Sequence, residues 1–314
     1  MFSNNTTTDT VCGGYLVSIG VLKSNEFVYP DMYTNITVSL LFMVAGTLLN
    51  FIVILAIATT PSLKTPSNIL ILGLALADLG ASFCPGVTGL VFKVSIYKDL
   101  EDIFCPSGVV LEVSVYFFFS VSFLTLCCTS LERYLLLLLH LRYNEVVTNF
   151  RICIVLVVIW IFAAVFTILR MFYPNTAINA FFTTAILLGF AVTIFCFGQT
   201  LRIVRKHRTQ IQAQNQQSLE SMKTFKKSVL TMLYIHLLFL VCYSPVMVVL
   251  AVAAAVGSSR GNSVIGSKIP VAFSFFSALM MLANSLLNPI LYFWRLAAIR
   301  QSAIRSLERL CKIG

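Results

Sequence analysis

Seven long apolar stretches constrain this chain more than any other feature of its sequence. A transmembrane helix needs about 20 mostly apolar residues to cross a ~30 Å hydrocarbon core, and each stretch reaches that length. The sequence is 58% hydrophobic and only 11% charged, which leaves too little polar surface for a soluble protein. We therefore predict an all-α membrane protein with a bundle of seven helices at residues 33–59, 67–94, 105–139, 152–172, 177–204, 228–256 and 269–294.

The distribution of charge sets the predicted orientation. Most of the 22 lysines and arginines fall in alternate loops and in the C-terminal segment, as expected for a cytoplasmic face. The N-terminus then lies outside the cell, where Asn4, Asn5 and Asn35 each begin an Asn-x-Thr glycosylation sequon. We expect no cleaved signal peptide. The predicted regions are an extracellular N-terminus (1–32), a seven-helix domain (33–294) and an amphipathic helix with a short tail (295–314), in a plasma-membrane protein.

The C-terminal segment and two cysteines indicate further attachments. Apolar residues after the seventh span fall along one helical face and arginines fall elsewhere, which predicts an amphipathic helix on the inner leaflet. Cys311 at its end is a candidate for palmitoylation. Cys12 and Cys105 are both expected on the extracellular, oxidising side of the membrane, so the sequence allows a disulfide between them.

A carboxylate at mid-membrane marks a polar centre. Asp78 lies in the middle of the second span, where a charge costs on the order of 3 kcal/mol. Oxygen ligands around one negative charge suit Na⁺ or a proton, and the alternative is a hydrogen-bond network that only joins helices. The polar residues at similar depth in the other spans are Asn50, Ser122, Asn284, Ser285 and Asn288.

Two further patterns indicate that the cytoplasmic end of the helix bundle can move. Glu132-Arg133-Tyr134 ends the third span, where Arg133 either pairs with Glu132 until a partner claims it or simply extends towards water. Pro245 and Pro289 remove backbone hydrogen bonds within the sixth and seventh spans, which creates natural hinges.

Taken in order, these motifs resemble those of the rhodopsin-like (class A) G-protein-coupled receptors. The resemblance implies a receptor that activates a heterotrimeric G protein by outward movement of the sixth helix. Arg133 would contact the G protein, and Asp78 would form an allosteric sodium site with Ser122, Asn284, Ser285 and Asn288. The positions that carry the resemblance are Asn50, Asp78, Glu132, Arg133, Tyr134, Trp160, Cys242, Tyr243, Pro245, Asn288, Pro289 and Tyr292.

Some positions depart from the family pattern. Tyr243 stands where the family usually has tryptophan, the fifth span lacks its proline, and the loop before that span lacks a cysteine. These absences resemble the melanocortin, lysophospholipid, cannabinoid and adenosine receptor group. Phe225 stands near the usual site of an acid that tethers Arg133, so we expect raised ligand-free activity.

The ligand is constrained only by exclusion. Val115 replaces the aspartate of amine receptors and Leu282 replaces the lysine of opsins. The candidate ligand contacts are Glu112, Val115, Tyr116, Phe119 and Tyr243, although Glu112 alternatively lies at the water boundary. A lipid, a peptide and a small molecule all fit, whereas nucleic acid and a resident cofactor are not expected.

Two other function classes are disfavoured. A transporter centred on Asp78 would be expected to show paired repeats or broken helices in corresponding halves, which the sequence lacks. A membrane enzyme would need a nucleophile or metal constellation, and none of the 3 histidines has a partner at metal-ligand spacing.

Overall fold

The structure is a computed structural model that describes residues 28–98, 100–139, 142–173, 176–211, 230–231, 233–245, 248 and 271–313. The regular secondary structure of those residues is entirely helical. The helices longer than one turn are α1 (Val28–Thr59), α2 (Pro66–Tyr97), α3 (Glu101–Leu139), α4 (Asn149–Phe172), α5 (Thr176–Ile211), α6 (Leu233–Pro245), α7 (Val271–Arg295) and α8 (Ala297–Ile313).

The predicted helical class and the order of the spans are confirmed. In the described part of the chain, six helices are long and apolar enough to cross a membrane, and α6 is a shorter apolar helix. The predicted ends shift, since α5 continues to Ile211 and α3 begins at Glu101. Apolar side chains on the outer side of α4, such as Val157, Ile161 and Ile168, are more than half exposed, as expected for a surface that faces lipid.

Threonine caps explain why two helices begin earlier than the apolar pattern predicts. The Thr65 side chain accepts a hydrogen bond from the backbone of Asn68, and Pro66 occupies the first turn of α2. Thr148 accepts in the same way from the backbone of Arg151 at the start of α4. Such caps satisfy backbone N–H groups that the first turn leaves unpaired, so they fix the helix start.

Helix α3 forms the centre of the bundle. It packs against α2, α4 and α5, while α1 packs against α2 and α7. A buried apolar cluster joins α1, α2, α3, α5 and α7 to α6 and includes Ile57, Phe123, Ile235, Phe239 and Tyr292. Burying these side chains together fixes which faces of the helices meet, and therefore which polar residues come into contact.

The C-terminal amphipathic segment is helical, as α8, and it is anchored to α1. Ser302 donates to the Ala56 carbonyl at 3.0 Å, and the hydroxyls of Ser306 and Thr59 lie 3.1 Å apart. Ile299 is buried against the bundle, whereas Ile304 remains 50% exposed. This exposed apolar side chain fits a helix that lies on a lipid surface.

The structure describes some of the residues predicted to be modified. Asn35 lies inside α1 with 9% of its surface exposed, and its glycosylation stays a prediction. Cys105 is disulfide-bonded, but its predicted partner Cys12 lies outside the described residues, as do Asn4 and Asn5. The side chain of Cys311 is likewise outside them.

We predict that two glycines of α5 respond oppositely to alanine. A Cβ atom on Gly189 would lie 2.6 Å from the Phe123 ring, which is stacked within the core, whereas Gly198 has nothing within 4 Å. Gly189→Ala should therefore destabilise the fold by roughly 1–3 kcal/mol. Gly198→Ala should stabilise it by up to about 1 kcal/mol through helix propensity.

Thermal unfolding of both purified variants checks this pair. Each variant is the control for the other, because the substitution and the helix are the same. Equal shifts of the two unfolding midpoints in one direction would contradict the packing of α5 against Phe123.

Candidate functional site

We name the two ends of the bundle by residues that lie there, the Arg133 end and the Lys93 end. Between them lies the polar centre around Asp78, whose side chain is fully buried. Asn288 Nδ2 donates to Asp78 Oδ2 at 2.8 Å, and the hydroxyls of Ser122 and Ser285 face the same carboxylate. The structure therefore brings together residues of α2, α3 and α7 that are far apart in sequence.

Asn50 links α1 to this centre. Its Nδ2 donates to the Ser285 carbonyl at 2.8 Å and to the Gly46 carbonyl at 2.9 Å. Asn284 is also buried, next to Ser285 on α7. Neither Asn284 Nδ2 nor Asn284 Oδ1 has a hydrogen-bond partner among the described residues.

The polar centre contains buried oxygen and nitrogen atoms that need further partners. Buried polar groups in proteins are normally hydrogen-bonded to protein or water, and a carboxylate with amide and hydroxyl oxygens is a ligand set for a hard cation. The residues present therefore fit a sodium ion. The buried atoms without a protein partner include Asp78 Oδ1, Ser122 Oγ, Asn284 Oδ1, Asn288 Oδ1 and Tyr292 Oη.

The described part of the chain does not support a site for zinc or another transition metal. No group of three or more histidine, cysteine, aspartate or glutamate side chains there is arranged to hold a metal ion. Sites for zinc and other transition metals depend on such groups.

The Arg133 end holds a compact ionic cluster. Glu132 Oε2 lies 3.4 Å from Arg133 Nε, and both side chains are buried. Ser67 Oγ and the Tyr143 hydroxyl donate to Glu132 Oε1 at 2.6 and 2.5 Å. Arg133 therefore pairs locally, the first of the two alternatives that the sequence left open.

Tyr143 enters this cluster from a one-turn helix, Tyr143–Val146, between α3 and α4. Burial raises the pKa of Tyr143, as do its hydrogen bond to Glu132 and the charge of that residue. The hydroxyl therefore stays protonated, and its bond is fully present below pH ~10, the ordinary pKa of tyrosine. Sequence reasoning did not find this role, because only the fold brings the loop against α3.

Helices α3 and α6 are joined near the Arg133 end by His236. Its Nε2 lies 2.8 Å from Ser130 Oγ and 3.0 Å from the Leu126 carbonyl, and Phe197 packs against the ring. Because a carbonyl only accepts, Nε2 carries the proton in this arrangement. The residue near the expected tether, Phe225, lies outside the described residues.

Tyr243 connects α6 to α3 through aromatic contacts. Its ring centroid lies 4.8 Å from that of Phe119 and 4.3 Å from that of Phe239, and Phe239 stacks on Phe123 at 5.8 Å. The position that departs from the family tryptophan is thus still an aromatic bridge. Pro245 lies two residues further along α6, and Pro289 lies within α7.

A cavity opens at the Lys93 end, with a volume of about 70 Å³. Three predicted ligand contacts, Val115, Phe119 and Tyr243, line it together with Leu282. Its wall also includes Lys93, which is only 4% exposed. Lys93 lies one residue before the end of the predicted span 67–94, and its position in the sequence does not indicate which way its side chain turns.

Glu112 and Tyr116 are absent from the lining of this cavity, and their role as ligand contacts stays a prediction. Glu112 Oε1 lies 3.3 Å from Arg170 Nη2 of α4. The same guanidinium donates to the Tyr116 hydroxyl and lies 3.9 Å above the centre of its ring. Residues four apart share one helical face, and this face of α3 meets α4.

Comparison with known proteins agrees with this arrangement. Residues 49–292 match the family described as "7 transmembrane receptor (rhodopsin family)". The chain belongs to that family. Members of this family are membrane receptors that have ligand and G-protein partners, and they are not enzymes. The family match therefore confirms the predicted receptor class and the prediction that the chain is not an enzyme. It also confirms a multi-pass membrane protein.

Individual relatives are distant. Cannabinoid receptor 2 of Mus musculus is 27% identical over 269 residues, which cover 80% of this chain and 72% of the relative. The same receptor of Rattus norvegicus is 26% identical over 269 residues, which cover 80% of this chain and 70% of the relative. Alpha-2B adrenergic receptor of Equus caballus is 31% identical over 140 residues, or 45% of this chain and 34% of the relative. The first two agree with the predicted receptor group.

We predict that Tyr143→Phe raises ligand-free signalling. The substitution keeps the ring but removes a neutral hydrogen bond to Glu132, worth about 1 kcal/mol. The state in which Glu132 holds Arg133 becomes less favoured, so signalling should increase up to about fivefold. The measurement is G-protein activation in cells at matched surface expression.

Tyr173→Phe is the control for this experiment, because Tyr173 is 63% exposed at the opposite end of α4. It should leave ligand-free signalling unchanged. Unaltered signalling in Tyr143→Phe would mean that the Glu132 cluster does not hold Arg133 in the resting state.

Proposed function

We propose that this receptor binds an extracellular ligand at the Lys93 end and activates a heterotrimeric G protein at the Arg133 end. The protein would lie in the plasma membrane with its N-terminus outside, as the basic residues indicate. The observation that carries the proposal is Arg133, buried beside Glu132 at the end of α3. A buried arginine with one local partner has further N–H donors, which another partner can bind once the local pair opens.

Activation is a two-state equilibrium that ligand and G protein bias from opposite ends. In the described conformation Glu132 holds Arg133, and His236 holds α6 against α3. Outward movement of α6 would break the His236 bonds and open a space at the Arg133 end. Pro245 supplies a hinge for that movement.

Tyr243 supplies the mechanical link between the two ends. It lines the cavity and also contacts Phe119 of α3 and Phe239 of α6. A ligand that displaces the Tyr243 ring must therefore change how α6 packs against α3. Closely packed aromatic rings transmit such a change because they leave no space to absorb it. Tyr292, fully buried on α7, would move inward to support the open state.

A sodium ion would stabilise the closed state. Asp78, Ser122 and Asn288 would hold it together with Asn284 and Ser285. The support for this site is the group of buried polar atoms that lack protein partners. The ion would neutralise Asp78 and join α2, α3 and α7, and rearrangement of these helices would release it.

We predict that ligand-free G-protein activation depends on Arg133. The wild-type receptor should activate at least one member of a panel of heterotrimeric G proteins, and Arg133→Ala should reduce that signal to the level of cells without receptor. The measurement is nucleotide exchange or subunit dissociation at matched surface expression.

Arg151→Ala is the control, since Arg151 caps the exposed loop carbonyls of Glu145 and Val146. Its signal should remain close to that of the wild type. Equal activity of wild type and Arg133→Ala would refute the assigned coupling role of Arg133.

We predict that sodium stabilises the purified receptor through Asp78. Replacing choline chloride by sodium chloride at constant ionic strength should raise the unfolding midpoint of the wild type, because a ligand that binds only the folded state stabilises it. Asp78→Asn removes the charge and keeps the shape, so its midpoint should not respond. A sodium response of equal size in both proteins would exclude Asp78 as the binding residue.

A further inference from the structure

Lys93 is a buried cation at the wall of the cavity. It belongs to the last turns of α2, and only 4% of its surface is exposed. A lysine near the end of a membrane helix usually extends to water, but this side chain does not. Its ammonium group therefore faces the interior, where a charge is costly unless it is paired.

The protein itself pairs Lys93 only weakly. Nζ donates to Ser39 Oγ of α1 at 2.6 Å, which uses one of its three N–H donors. Among the described residues no carboxylate forms an ion pair with Lys93. Glu112 lies on another face of α3, where its carboxylate forms an ion pair with Arg170 of α4.

The remainder of the cavity is apolar. Below Lys93 and Ser39 the wall consists of aliphatic and aromatic side chains, including Leu111, Val115, Phe119 and Leu282. Among the described residues that line the wall, Lys93 is the only charged one. The cavity therefore combines one described cation and the side chains of Ser39 and Tyr243, which carry hydroxyls, with a largely carbon surface, and a ligand that fits it has the complementary chemistry.

We infer that the cavity binds an amphiphilic anion, with its charged head on Lys93 and Ser39 and its apolar body against Phe119 and Tyr243. The inference rests on the proposed function for its role in signalling, but not for binding itself. Carboxylate and phosphate heads share this chemistry. The volume of about 70 Å³ accommodates the head and the adjoining carbons, so the length of the apolar body is a variable of the experiment.

The position of the site also gives the ligand a means of acting. Ser39, Lys93 and Tyr243 belong to α1, α2 and α6, and all three line one cavity. An anion on Lys93 whose body reaches Tyr243 would contact the ring that packs α6 against α3. Binding energy at the cation would thereby favour one arrangement of α6.

The test is a binding measurement on the purified full-length receptor in nanodiscs of uncharged lipid. Carboxylates from butanoate to oleate are titrated, each beside its uncharged primary amide, with octyl phosphate and octylamine as further probes. The readout is the unfolding midpoint, which does not require a G protein. Carboxylates or the phosphate should stabilise the wild type, and amides and octylamine should not.

Variants of Lys93 separate charge from shape. Lys93→Gln should weaken anion binding by about 30-fold or more, the loss typical of truncating one partner of a buried charge pair. Lys93→Arg should retain binding, and Lys93→Glu should bind octylamine in place of octanoate. Lys98→Gln makes the same charge change at an exposed position beyond the cavity, so it should bind as the wild type does.

Two results would overturn the inference. One is equal binding of carboxylate and amide by the wild type, and the other is unchanged anion affinity in Lys93→Gln. A receptor that binds the anion through Lys93 but activates no G protein would retain this inference and lose the proposed function. A receptor that activates a G protein through Arg133 without ligand but binds no anion would retain the proposed function and lose this inference.

Discussion

The burial of the Asp78 carboxylate is the constraint on which the bundle depends. A charged or polar group in a bilayer must find partners inside the protein, and no single helix supplies enough of them. Asn288 of α7 donates directly to Asp78, and Asn50 of α1 joins the same region through the Ser285 carbonyl. Helices α1, α2, α3 and α7 therefore converge at mid-membrane, and the protein remains short of partners there. That deficit is the reason for proposing a small cation at this centre.

The two ends of the bundle treat buried cations differently. At the Arg133 end, Glu132 neutralises Arg133 and accepts two further hydrogen bonds from Ser67 and Tyr143. At the Lys93 end, Lys93 has a hydroxyl group and no described carboxylate. In the proposed mechanism the G protein opens the first cluster, and a ligand supplies the missing partner at the second. Phe119 of α3 and Tyr243 of α6 pack against each other, and the proposal assigns to this contact the coupling of the two ends.

The position of a residue along its membrane helix could be predicted from the sequence, but the direction in which its side chain points could not. The position of Asp78 at mid-helix and of Arg133 at a helix end follows from counting residues along apolar spans. Which neighbour each side chain meets depends on rotation about the helix axis. Glu112 and Tyr116, for example, were predicted as ligand contacts, and the structure shows both in contact with Arg170 of α4. Lys93 was missed for the same reason, because an apolar span does not indicate whether its last lysine turns inward.

The sequence by itself determined the helical class, the number and order of the spans, and the family to which the chain belongs. These follow from helix length, charge bias and short motifs, all of which are local along the chain. Only the tertiary structure decided that Tyr143 bonds to Glu132, that His236 joins α6 to α3, and that Lys93 meets Ser39. Each of these contacts links elements that are separate in sequence. Their geometry is set by the joint packing of several helices, which no single segment encodes.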